Sequence, residues 1–382
     1  MTYLDAAATT PVRREVLEAM WPYLTTTYGN PSSHHEVGEA AARGLDAARR
    51  AVADILGARP AEITFTSGGT EGANTAIKGI ALARPRGRHV IVSAVEHPAV
   101  LESARWLGRL GYDVTELEAD TDGRVAPADL AAALRPDTTL VSIQYANNEV
   151  GTIQPIAELT AVARAHDVPF HTDAVQAAGW LDLDVGRLGV QALSLSGHKV
   201  GAPKGIGVLW VARRTPVEPL IHGGGQQRGL RSGTEDVAGA VAMAIALRLT
   251  RTADPARVIA RRDAFIARVE GSVLDARLTG HRVERLPGHA SFVLPGVSGE
   301  SVLLDLERRG VICSSGSACA AGSDEPSHVL TAMGVPTETA QTALRFTFEA
   351  DVSDEELERA ADELVASVTG RVPVTSPGWS HP

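Results

Sequence analysis

Ser194-Leu195-Ser196-Gly197-His198-Lys199, continued by Val200-Gly201-Ala202-Pro203-Lys204-Gly205-Ile206-Gly207, reads as the end of a short apolar strand, a polar turn and a glycine-rich return. A second strand, Val208 to Ala212, follows at once. A lysine at a strand end rides on a fixed element yet faces the crevice where open α/β sheets bind ligands. Ser196 and His198 offer short hydrogen-bonding arms beside it, and the glycines let backbone come close to a ligand. A lysine desolvated in such a place has its pKa lowered and becomes an amine nucleophile for carbonyls. A lysine in an ordinary solvated turn gives the same short motif, so the rest of the chain has to decide.

Outward from this stretch the chain alternates strands and helices. Ile63 to Thr66, Val90 to Val92, Val114 to Leu117, Leu140 to Tyr145, Phe170 to Thr172 and Ala192 to Leu195 read as strands. Helices are expected over Arg13 to Leu24, Glu36 to Leu56, Glu71 to Arg84, Ala99 to Leu110, Ile156 to His166 and Val237 to Leu249. The alternation predicts an α/β fold with a mostly parallel sheet covered on both faces. Beyond a charged helix at Pro255 to Leu274 the strands thin out to Ser291–Leu294, Val311–Ile312 and Leu344–Phe346, with a last helix over Asp354 to Val368. This shift predicts a second, smaller α+β domain. Met1 to Pro11 is an extended lead, and Trp379 to Pro382 resembles part of a streptavidin-binding purification tag.

Composition narrows the function classes. The chain has 382 residues, 44% hydrophobic and 21% charged, ample for a sizeable core and more than one domain. A net charge of −10 gives no global attraction to nucleic acid or anionic membrane. No apolar run approaches the ~20 residues of a membrane span. Two cysteines, Cys313 and Cys319, exclude a disulfide framework, favour a reducing cytoplasmic setting and make a poor structural zinc site.

Other stretches supply what a reactive lysine needs. Thr66-Ser67-Gly68-Gly69-Thr70-Glu71 joins a strand to a helix start, a recipe for holding a phosphate. Thr70 as a simple N-cap is the plainer reading. Asp173, in His171-Thr172-Asp173-Ala174-Val175-Gln176, ends a strand and faces the same crevice, although N-capping would also explain it. Gln176 adds an amide. Glu96-His97-Pro98 brings an imidazole able to stack on a flat ring and pass protons, and Asn147-Asn148-Glu149 one more amide. Amine, carboxylate, phosphate cradle and ring cover are the parts of a pyridoxal phosphate site, in which the carboxylate keeps the pyridine nitrogen protonated.

Taken together these stretches resemble the aminotransferase class V family of pyridoxal-phosphate enzymes, and within it the cysteine desulfurases of the NifS/IscS type. Further matches are Tyr3-Leu4-Asp5 with Ala8-Thr9-Thr10-Pro11, Gly29 to Ser33, Arg231-Ser232-Gly233-Thr234, Ser314 to Cys319, Glu325 to Leu330 and Leu344-Arg345-Phe346. They run in family order from residue 3 to about 350. The resemblance implies a fold type I transferase with a seven-stranded, mostly parallel sheet. It implies a large domain over 13–250, a small one from 1–12 with 251–370, and a tail over 371–382. Lys199 would hold the cofactor and move a proton at the substrate Cα. Asp173 would hold the pyridine nitrogen, Gln176 the ring hydroxyl, and His97 the ring face. Gly69, Thr70, Ser196 and His198 would cradle the phosphate, with Thr234 reaching across a homodimer with shared sites. Asn148 and Arg345 would take the substrate carboxylate, which suits the planar fork of arginine. Cys319 would accept the sulfur of L-cysteine as a persulfide and pass it to an acceptor protein, leaving alanine. Its Gly/Ser-rich surroundings suit a reactive thiolate, while Cys313 beside Val311-Ile312 reads as a core residue. A selenocysteine lyase or another class V aminotransferase is the alternative activity, and the sulfur's destination stays open among iron–sulfur clusters, tRNA, DNA and small molecules.

Overall fold

The computed structural model describes residues 1–83, 85–250, 254–316 and 326–369. After a short β1 (Thr2–Tyr3), seven strands make the main sheet: β2 (Ile63–Thr66), β3 (His89–Ser93), β4 (Asp113–Leu117), β5 (Thr138–Ser142), β6 (Phe170–Asp173), β7 (Ala192–Ser196) and β8 (Gly207–Val211). Their order is β2-β8-β7-β6-β5-β3-β4. Pairing is parallel from β4 to β7, and β8 runs antiparallel to β7 and β2. The seven-stranded, mostly parallel sheet is therefore present. The return of β8 has a plain cause: the connection after Ser196 is too short for the helical crossover a parallel neighbour requires.

Successive residues of each strand face opposite sides, and both sides are covered. Ile91, Val141, Leu193 and Val208 pack against α1 (Arg14–Thr25), α2 (Glu36–Leu56) and later helices of that face. Val90, Val92, Leu140 and Leu209 pack against α3 (Gly69–Ala83) and α4 (Pro98–Arg109). The first face is completed by α5 (Pro127–Ala133), α6 (Ile156–Ala165), α7 (Val185–Leu188) and α8 (Val237–Thr250). Helix α2 stops where Gly57 adopts φ +63 and its N–H returns to the carbonyls of Ala53 and Asp54. No helix among the described residues is long and apolar enough to cross a membrane.

A second core is built on β9 (Arg277–Leu278), β10 (His289–Val293), β12 (Ser314–Ser315) and β13 (Leu344–Thr347), an antiparallel sheet in the order β12-β13-β10-β9. Between them, β11 (Val311–Ile312) pairs in parallel with β1, which ties the N-terminal lead to this layer. Helices α9 (Pro255–Ser272), α10 (Gly299–Arg308) and α13 (Asp354–Thr369) cover it, and α11 (His328–Ala332) and α12 (Thr337–Ala340) lie beside a smaller cluster around Val293. Phe265, Phe292 and Phe346 meet at its centre with ring centroids 5.2 to 6.3 Å apart. Phe292 is fully buried, so Phe292→Ala should cost about 3–5 kcal/mol. The check is a lower urea midpoint at unchanged slope.

Two expectations shift. The strand expected over Leu140–Tyr145 starts earlier, at Thr138, and its regular part ends at Ser142, while Ile143 and Tyr145 still donate to the carbonyls of His171 and Asp173 and Ala146 bridges to Ile153. The helix expected from Glu71 starts at Gly69, so Thr70 lies inside its first turn and is no N-cap.

Candidate active site

The parallel strands end at one edge of the sheet, which is why residues far apart in sequence meet there. The turn after β3 carries His97, the turn after β5 carries Gln144 and Asn148, β6 ends on Asp173, and β7 ends on Ser196 before the helical turn Gly197–Lys199. Lys199, Asp173, Gln176, His97, Gly69, Thr70, Ser196, His198, Asn148 and Arg345 all line one cavity of about 270 Å³. Thr234 does not line it; it is exposed on the loop before α8. Cys319 lies outside the described residues.

Ala7 and Ala8 of the N-terminal lead also line this cavity, and their neighbours bond to its other residues. Lys199 Nζ donates to the carbonyls of Ala7 at 2.5 Å and Ala8 at 2.8 Å. Gln176 Nε2 donates to the Ala7 carbonyl at 3.0 Å, which leaves its second N–H for another acceptor. His198 meets Thr9 Oγ1 through Nδ1 at 3.2 Å, and its carbonyl takes both the N–H and the hydroxyl of Thr10.

Asp173 is buried, and one of its oxygens takes the N–H of Val175 at 2.9 Å. That bond closes a turn and starts no helix, so the capping reading of Asp173 does not hold. Burial pushes its carboxyl up to about 6, against the Val175 N–H and the charge of Lys199, which draw it down. It is therefore ionised at neutral pH, at a cost. Its folded pKa lies above the unfolded value, so this group's stabilising contribution is present below about pH 4 and lost as pH rises through 6. In protein stripped of cofactor, Asp173→Asn should raise stability at pH 8 by on the order of 2–3 kcal/mol. The gain should fade near pH 4, as read by thermal scans across pH. The same change should weaken cofactor retention.

His97 caps α4: its Nδ1 accepts the Ala99 N–H at 3.1 Å, which places the ring proton on Nε2. Burial, then the charges of Lys199 and His328, bring it down to about 4, so it is neutral at pH 7. The turn that carries it is locked. Gln144 Nε2 and Asn147 Nδ2 donate to the Val95 carbonyl at 2.6 and 2.9 Å. His328 Nε2 lies 2.9 Å from the Glu96 carbonyl. Glu96 itself is wholly buried, with Oε1 taking the Gln144 N–H at 2.7 Å and Oε2 lacking a hydrogen-bond partner. Burial raises its carboxyl well above the usual range, and Asp173 nearby adds to the effect. The Gln144 N–H draws it partly back down.

Strand β13 presents Arg345, 1% exposed, to the same cavity. Its Nη1 donates to the Asn148 carbonyl at 3.0 Å and its Nη2 pairs with Asp5 at 2.8 Å. Its Nε is buried with no hydrogen-bond partner.

These residues fit pyridoxal phosphate. A Cβ on Gly69 would stand 2.6 Å from Val175 Cγ2, so the start of α3 must be glycine to stay close to the cavity. Helix-start N–H groups flanked by the Ser196 hydroxyl and a neutral His198 form a donor set for a phosphate. An amine, a buried carboxylate and a neutral imidazole complete the set the ring needs. Sequence patterns drew no role for Glu96, Gln144, Asp5 or the carbonyls of Ala7 and Ala8. Asp5 stood inside a matching stretch, and Glu96 preceded His97, but burial and through-space pairing leave no local signature.

The aminotransferase class-V family profile matches residues 2–360. A protein named cysteine desulfurase IscS from Dictyoglomus turgidum is 48% identical over 366 residues, covering 95% of this chain and 93% of its own. A solved NifS-like protein superposes with a TM-score of 0.89 at 35% identity, covering 97% of this chain and 100% of its own. A solved structure of SspA in complex with cysteine superposes with a TM-score of 0.82 at 38% identity, covering 92% and 99%.

Proposed function

This chain belongs to the aminotransferase class-V family and is a pyridoxal-phosphate-dependent cysteine desulfurase, and from that premise we propose how its residues divide the reaction. The observation that carries the reading is the single cavity shared by Lys199, Asp173, His97, Asn148 and Arg345. Lys199 holds the cofactor covalently and carries a proton to and from the substrate Cα. Asp173 keeps the ring nitrogen protonated, Gln176 meets the ring hydroxyl, and neutral His97 covers the ring face and exchanges protons. Gly69, Thr70, Ser196 and His198 take the phosphate. When bound, the cofactor withdraws electrons from the substrate and weakens its Cβ–S bond.

The substrate is L-cysteine, the ligand of the SspA relative. Arg345 and Asn148 hold its carboxylate. The Cys319 thiolate attacks the substrate sulfur, so that an S–S bond forms as the Cβ–S bond breaks. The electron pair passes to the substrate carbon, a proton follows, and alanine leaves. The persulfide on Cys319 then goes to an acceptor protein in the cytoplasm.

Thr234 acts in the site of a second copy, in a homodimer. Its exposure supports this, as does an apolar stripe on and just beyond α1. There Leu17, Trp21, Leu24 and Tyr28 recur at helical spacing and all face solvent. Incubating the holoenzyme with L-cysteine and no reductant tests the assignment. Alanine should form, and the peptide bearing Cys319 should gain the mass of one sulfur atom. Alanine without that mass, or amino transfer dependent on an oxo acid, would replace the reading.

A further inference from the structure

We propose that Asp5 is a positioning residue for the substrate carboxylate, acting through Arg345; this rests on the reading that Arg345 receives that carboxylate. The guanidinium is almost wholly buried and makes two contacts of unlike kind: a carbonyl, Asn148, on Nη1 and a carboxylate, Asp5, on Nη2. With Nε buried and without a partner, Asp5 is the one charged group among the described residues that pairs with it. A planar fork captures a carboxylate only if its plane is set beforehand.

Asp5 is itself fixed by its backbone. It bridges to Thr347, two residues beyond Arg345 on the same strand. Thr347 donates its N–H to the Leu4 carbonyl at 2.8 Å and accepts the Ala6 N–H at 3.0 Å. The Tyr3 hydroxyl lies 3.1 Å from the Asp5 carbonyl and 2.8 Å from that of Thr9, closing the turn. The main chain at Asp5 is thus held, and its short side chain keeps the carboxylate within a narrow reach from which it draws the guanidinium. Two residues on, the same lead gives its carbonyls to Lys199. One rigid segment thus sets the distance between the group that takes the substrate carboxylate and the amine that works at its Cα.

Steady-state kinetics of the holoenzyme with L-cysteine test this. Asp5→Ala should raise KM by about ten- to a hundredfold, the weight of one hydrogen bond to a charged group, with kcat changed far less. Asp5→Asn keeps an acceptor oxygen and should recover KM to within about threefold. Asp5→Glu keeps the charge but moves it by one methylene, and KM should rise. Should Asp5→Ala not fold, the Asn and Glu pair decides by itself. An unchanged KM in Asp5→Ala, or Asn and Ala behaving alike while Glu behaves as native, overturns the proposal and leaves only neutralisation of a buried cation. A fall in kcat with altered cofactor absorbance at unchanged KM overturns it too, because the lead would then act on Lys199. Arg345→Ala separates the two levels. If it leaves KM unchanged, the assignment of Arg345 falls and takes the proposal with it. If it raises KM while Asp5→Ala does not, only the role of Asp5 falls.

Discussion

Lys199→Ala is expected to lower cysteine-dependent alanine formation by at least about four orders of magnitude, and to leave a protein from which borohydride fixes no cofactor. One side chain is lost, but two tasks go with it. The amine is the nucleophile that would anchor the cofactor, and it is the base that would move the substrate Cα proton. Positioned proton transfer alone is worth about 10²–10⁴. Nothing else lining the cavity replaces it. His97 is neutral but commits Nδ1 to the Ala99 N–H, and the Asp173 carboxylate is the group that would hold the ring nitrogen. Lys199→Arg keeps the charge and the donors to the Ala7 and Ala8 carbonyls yet is a poor nucleophile, and it should lose as much. The fold should survive both changes, because each lost hydrogen bond contributes about 1 kcal/mol. Retention of even a hundredth of native turnover in Lys199→Ala would show that the lysine does not carry the chemistry.

Cys319→Ser is expected to separate binding from turnover. Cofactor absorbance and its change on adding L-cysteine should remain, while alanine and sulfide fall by about three orders of magnitude or more. The thiolate is the attacking form, and a serine hydroxyl at neutral pH is neither ionised nor soft enough to take sulfur. The other cysteine provides the control. Cys313 is buried against Leu4 and Phe346 in the second core, and burial pushes its thiol up to about 12. Its thiol stays protonated and enclosed, so Cys313→Ala should change turnover by less than about twofold. Equal losses in the two variants, or full activity in Cys319→Ser, would move the sulfur acceptor elsewhere.

Much of the fold was readable because it is written in short windows. The helix Glu36–Leu56 and the strand Ile63–Thr66 carry their own periodicity and end at their own stop signals, Gly57 and Ser67. Helices α5 and α7 and strands β9 and β12 were not, since two to seven residues hold too little pattern. The site divides along the same line. Lys199, Asp173 and His97 stand at strand ends or just beyond, where a turn announces them. Glu96 and Asp5 do not, because a carboxylate's state depends on what surrounds it and not on its neighbours in sequence.

The sequence by itself determined the order and kind of most elements, the family and the cofactor class. The elements follow from local periodicity and turn chemistry, and the family and cofactor class from motifs that run in the family's order along the chain. Only the tertiary structure decided that Ala7 and Ala8 line the active-site cavity, and that Asp5 lies 2.8 Å from Arg345 across 340 positions of chain. It also decided that burial raises the Glu96 carboxyl well above the usual carboxylate range and brings His97 down to about 4. Charge state and orientation are set by desolvation and by Coulomb forces acting through space, and both depend on distances that exist only once the chain has folded.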